Sequence, residues 1–128
     1  MVYLYLLGRI LYGGFFILAG INHFRNSTMM AGYAASKGIP AARVAVLGSG
    51  VLIVLGGLSI ALGLRPTWGI IALTVFLVPT SLTMHNFWAD TDPSARLNNL
   101  INFQKNNALL GAAWTFLMVP QPWPLSLG

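Results

Sequence analysis

The sequence has no cysteine. Disulfides, thiolate metal sites and cysteine-held iron–sulfur clusters are therefore excluded within this chain. Acids are almost missing too: Asp90 and Asp92 are the 2 acidic residues. Charged residues of either sign make up 7% of 128, against roughly 25% in a soluble domain. The net charge of +5 reflects missing acids more than abundant bases, so it does not imply a nucleic-acid partner. No nucleotide fingerprint, phosphate loop or nucleophile–base pair is visible. What is abundant is apolar: 56% hydrophobic residues and a mean hydropathy of +0.73. A water-soluble globule of this length cannot bury that much apolar surface. The chain reads as an integral membrane protein, one domain over residues 1–128.

A membrane span needs about 20 mostly apolar residues. Such stretches run over residues 3–21, 44–64 and 67–84. The first is interrupted by Arg9, and it lacks the basic lead and the small-residue cleavage site of a signal peptide. A fourth apolar run, Ala108 to Val119, is only about 18 Å of helix and must begin earlier. Asp92 as cap and Pro93 in the first turn supply a start, which places the fourth helix at residues 93–119 with a polar first half. The first loop, Asn22 to Arg43, holds a short helix from Thr28 to Lys37 with Met29, Met30 and Tyr33 on one face. Ser27 is its expected cap, and Gly38 with Pro40 its stop. The expected fold class is all-α: an integral membrane four-helix bundle with a short interfacial helix in the first loop. Trp123, in the Pro-rich tail, suits the membrane interface.

Arg25, Lys37, Arg43, Arg96 and Lys105 fall on one side of this bundle and Arg65 on the other. The positive-inside rule makes the first side cytoplasmic and both termini external. Gly8, Gly13, Gly14, Gly20, Gly48, Gly50, Gly56, Gly57 and Gly63 read as close-packing positions between helices. Pro79 interrupts the third span and frees the carbonyl of Val75.

Polar groups are costly in lipid, so their placement is informative. His23 and His85 both fall at the cytoplasmic end. Asn98, Asn102, Lys105 and Asn106 share one face of the fourth helix, expected to point into the bundle. With Asn86 nearby, these groups describe a polar, cationic pocket. Each also has a plain interpretation: interfacial histidines, a lysine snorkelling to the headgroups, an interface anchor at Asn86-Phe87-Trp88. Arg9 stands apart. Either it snorkels to the external face, or it needs carbonyl, hydroxyl or lipid-phosphate partners, since no span carries an acid. A metal site from His23, His85, Asp90 and Asp92 lacks any ligand-spacing motif, so no metal is expected. Two histidines at the rim suit haem poorly. A flat hydrophobic ligand such as a quinone fits better, with its ring oxygens on His, Lys or Asn.

The segments Gly13-Gly14-Phe15-Phe16-Ile17-Leu18-Ala19-Gly20-Ile21-Asn22-His23-Phe24, Met30-Ala31-Gly32-Tyr33-Ala34, Gly56-Gly57, His85-Asn86-Phe87-Trp88 and Phe103-Gln104-Lys105-Asn106 together resemble the DoxX family over nearly the whole chain. The resemblance implies a four-helix bacterial membrane protein, placed in the inner (plasma) membrane. The family's name comes from similarity to subunits of an archaeal thiosulfate:quinone oxidoreductase, and its members are often labelled oxidoreductases. It also marks His23, His85, Asn86, Lys105, Asn106 and Arg9 as matching polar positions. Many relatives carry a glutamate in the second helix; Ile53 or a neighbour stands there in this chain.

The expected function is a quinone-linked oxidoreductase subunit or accessory protein. Its ligand-binding residues are expected to be His23, His85, Asn86, Asn102, Lys105 and Asn106, with quinone as the expected cofactor. Beside the lipid bilayer, the expected partners are a redox protein or further copies of the chain. The alternatives are a binder or carrier of small hydrophobic molecules and a non-catalytic assembly partner of a membrane complex.

Overall fold

A computed structural model describes residues 1–128. It is all-helical, with α1 (Val2–Arg25), α2 (Ser27–Ser36), α3 (Ala42–Leu62), α4 (Pro66–Thr83) and α5 (Pro93–Thr115), and 3-10 turns at Phe87–Ala89 and Phe116–Met118. Val2–Arg25, Ala42–Leu62 and Pro66–Ala89 are long and apolar enough to cross a membrane. The chain is a helical membrane bundle. α5 reaches about 34 Å at 1.5 Å per residue, but its polar first half keeps it out of that group.

Helix ends follow local chemistry. Asp92 caps α5, its Oδ2 accepting from the Ala95 N–H at 2.9 Å, with Pro93 in the first turn. Gly63 closes α3 at φ 68, and Pro66 opens α4 at once. Gly38, at φ 80, lets the Ile39 N–H return to the Ala34 carbonyl at 3.1 Å, which terminates α2.

Three boundaries differ from expectation. α1 runs past Ile21 to Arg25, so His23 is a helical residue, not a loop residue. Asn26 alone separates α1 from α2; its N–H bonds Asn22 O at 2.9 Å and its carbonyl accepts from Met30 N at 3.0 Å. That shared hinge replaces a cap, and Ser27 makes no capping bond. In α5 the α-helical turns end at Thr115, and a 3-10 turn at Phe116–Met118 completes the expected length.

The bundle is organised by the contact of α1 with α3. A Cβ on Gly57 would lie 2.5 Å from the Gly13 carbonyl, and one on Gly50 would lie 2.9 Å from His23 Cβ. The backbones touch there, as small residues allow in lipid. Gly56 serves α4 in the same way, with Leu73 Cδ2 at 2.8 Å from its virtual Cβ. Gly8, Gly14 and Gly48, grouped with these by sequence, instead face open space. Phe16, Ile53, Ile60, Ile70, Leu73 and Leu77 form the centre of the apolar core.

Arg9 is fully buried at 0% exposure. It does not snorkel. Its guanidinium donates to Pro124 O at 2.5 Å, Leu125 O at 2.9 Å and Ala61 O at 3.2 Å. The rings of Tyr5 and Trp123 stand 5.4 and 5.6 Å from Arg9 Cζ. Carbonyls take the place of the missing acid: Ala61 lies in the last turn of α3, where carbonyls lack helical partners. The C-terminal tail is thereby drawn over the bundle end, and Leu127 N–H adds a bond to Leu62 O at 3.0 Å. Trp123, expected at the interface, is instead 2% exposed and part of the core.

Two outcomes follow for thermal unfolding in detergent. Gly57→Ala should cost about 1–3 kcal/mol by forcing α1 and α3 apart, while Gly14→Ala should stay within about 0.5 kcal/mol of wild type. Equal melting temperatures for the two variants would remove the seam from this account. Arg9→Met should lose about 2–4 kcal/mol through stranded carbonyls and release the tail, read as new proteolytic cleavage after Val119.

Candidate functional site

The polar residues of the loops and helix ends around His23 and His85 matter for what they surround. A cavity of about 790 Å³ is lined by 24 residues, 15 of them hydrophobic. α1, α3 and α4 supply most of the apolar wall, and α2 contributes Met29, Met30, Tyr33 and Ala34. The helix expected to lie on the membrane surface is thus also a wall of the cavity. The polar, cationic pocket expected from sequence is in fact mainly apolar, with a few polar groups placed around it.

His23 lies on the face of α1 that meets α3, because Gly50 leaves room for its Cβ. It is buried at 9% exposure, which excludes the plain interfacial interpretation. Its Nδ1 lies 3.0 Å from Val46 O and 3.1 Å from Ser49 Oγ. Ser49 Oγ in turn donates to Val46 O at 3.0 Å. A carbonyl only accepts, so the hydrogen of the neutral ring sits on Nδ1.

His85 is fixed from the other side. Its Nδ1 lies 3.3 Å from Asn99 Oδ1, and Asn99 Nδ2 donates to Asp90 Oδ2 at 2.7 Å. The carboxylate accepts only, which sets the orientation of the Asn99 amide. Asn99 Oδ1 therefore faces the imidazole, and His85 too carries its hydrogen on Nδ1. Tyr33 Oη donates to Met84 O at 3.0 Å and stands 3.5 Å from Asn99 Oδ1. Lys37 Nζ donates to Asn86 Oδ1 at 2.7 Å and lies 4.0 Å from Asp90 Oδ1. α2, the α4–α5 loop and α5 are joined by this network.

His23, His85, Lys105 and Asn106 all line the cavity. Lys105 Nζ donates to Asn102 Oδ1 at 3.2 Å and sits 5.5 Å from the Phe15 ring centroid. Asn106 is 5% exposed and has no hydrogen bond to another side chain. The other two candidates are not on the wall: Asn86 is engaged by Lys37, and Asn102 supports Lys105. Asn98 points outward, against expectation, and its neighbour Asn99 is the buried one. The inward stripe of α5 is Asn99, Asn106 and Ala113, a spacing of seven, and that phase selects Asn99. His23, His85, Asp90 and Asp92 form no group able to hold a metal ion. Ser49, Tyr33 and Asn99 were missed from sequence because each acts across a helix contact.

A family profile described as DoxX matches residues 4–86, more than half of the chain. The chain belongs to the DoxX family. In this DoxX protein the match includes α1 to α4 and both histidines. It ends before α5, so the Lys105-Asn106 pair lies outside it, whereas the sequence resemblance reached that far. Searches of curated proteins and of solved structures gave no match.

The Tyr33 bond to Met84 closes α2 over the cavity. Tyr33→Phe should remove about 1 kcal/mol and raise hydrogen–deuterium exchange in residues 27–36 while α3 exchange stays unchanged. Unaltered exchange in α2 would show that the hydroxyl does not hold it.

Proposed function

We propose that this DoxX protein binds a quinone-type molecule in the cavity, as a subunit or accessory protein of a quinone-linked redox system of the bacterial inner membrane. One observation carries the reading: a mainly apolar cavity of about 790 Å³ whose wall also holds two imidazoles, an ammonium, an amide and the hydroxyls of Tyr33, Ser49, Thr80 and Thr83. A flat ring with polar oxygens and an apolar tail has that distribution of chemistry, and small-molecule sites are typically apolar with a few placed polar groups. The site opens at the end that the basic residues make cytoplasmic. Without a thiol, the chain supplies binding and proton-exchanging groups. Its electrons come from a partner protein or a soluble substrate.

The dominance of apolar wall favours one second reading, a carrier of small hydrophobic molecules with no redox step. Titration of the purified protein in lipid nanodiscs with a short-tailed quinone, in both redox states, tests the first. Saturable binding near one equivalent is expected, weakened about tenfold by Lys105→Met through one lost hydrogen bond. Gly48→Leu, which fills open space at the cavity wall, should block binding without lowering the melting temperature. No saturable binding in either redox state would end the proposal; tight binding of apolar molecules without ring oxygens would favour the carrier.

A further inference from the structure

We infer that the cavity is built for a ligand that donates hydroxyl hydrogens, so that it holds the hydroquinone in preference to the quinone. The inference rests on the quinone-site reading and adds a redox-state preference to it. It begins with the two tautomers. Val46 O pins a hydrogen on His23 Nδ1 at 3.0 Å, and Asn99 Oδ1 pins one on His85 Nδ1 at 3.3 Å. A neutral imidazole with Nδ1 protonated has a bare lone pair on Nε2. Neither Nε2 has a partner within the chain, and both rings line the same cavity. Nor are these atoms sealed away. The buried side-chain atoms without a partner are Tyr5 Oη, Arg9 Nε and Ser81 Oγ. Both lone pairs therefore reach open space.

A quinone carbonyl set against such a lone pair meets acceptor with acceptor, and neither side gains a bond. A phenolic hydroxyl donates to Nε2, and its oxygen still accepts from Lys105 or Asn106 on the same wall. The hydroquinone thus pairs with both lone pairs as well as with the donors, whereas the quinone pairs with the donors alone. Leaving a site's buried polar group unpaired is the strongest source of discrimination between near-identical ligands.

The device reaches beyond the cavity wall. Asp90 does not line the cavity, yet it orients the Asn99 amide, and Asn99 sets the His85 tautomer. Asp90 is thus a positioning residue for the redox preference. Replacing its carboxylate by an amide gives Asn99 a partner that can both donate and accept, so the orientation is no longer dictated.

The test uses the full chain in nanodiscs at pH 8 with nitrogen-15-labelled histidine. A short-tailed hydroquinone, kept reduced under anaerobic conditions, is titrated against the matching quinone. The expected result is hydroquinone binding at least about tenfold tighter, with both unliganded imidazoles showing a protonated Nδ1 and an unprotonated Nε2. Asp90→Asn should leave quinone binding in place, shift the His85 signal toward mixed tautomers and shrink the preference. Equal or tighter quinone binding, or an Nε2-protonated tautomer in the wild type, overturns the inference and leaves the quinone site standing. Failure of both redox forms to bind overturns the quinone site itself, and the inference with it.

Discussion

The close approach of α1 to α3 is the constraint on which the rest depends. Along this antiparallel seam Arg9 meets Ala61, Gly13 meets Gly57, Gly20 meets Gly50 and His23 meets Val46. In lipid there is little hydrophobic drive between helices, so packing and polar contacts hold them. Missing side chains at the glycines supply the packing. At either end the seam carries one polar residue of α1 that bonds backbone carbonyls of α3. Arg9 and His23 are therefore two instances of one solution: with no acid available, a buried donor is satisfied by carbonyl oxygen.

That arrangement divides the molecule into a closed end and an open one. At the closed end, Arg9 gathers tail carbonyls, and Tyr5 and Trp123 pack around the guanidinium. At the open end, α2 folds back over the bundle and α5 enters with Asn99 and Asn106 inward. The bundle does not close tightly there, and a cavity remains. Its polar groups are held by partners within the chain: Val46 for His23, Asn99 and Asp90 for His85, Asn102 for Lys105. A binding group whose orientation is set by a second layer loses less freedom when a ligand arrives.

Much of this was legible in the residues. The membrane class followed from the scarcity of charge, the start of the last helix from Asp92-Pro93, and the end of α2 from Gly38. Placement of His23, His85 and Lys105 at one end followed from span counting. The errors share a cause. Asn98 was taken for Asn99 because a polar helix half has no apolar stripe to reveal its phase. Trp123 was put at the interface because its rank as a membrane-boundary residue is statistical, while its burial depends on a charge 114 positions earlier in the chain, at Arg9.

The sequence by itself determined that the chain resides in a membrane, that its helices number about four with one short companion, and which end collects the polar residues. These are properties of local composition and period, which each segment carries alone. Tertiary structure decided that Arg9 is buried on carbonyls, that α2 walls a cavity, and that both imidazoles keep their hydrogen on Nδ1. Those outcomes depend on which groups meet across helix contacts, and a hydrogen-bond partner distant in the chain leaves no mark on the residues beside it.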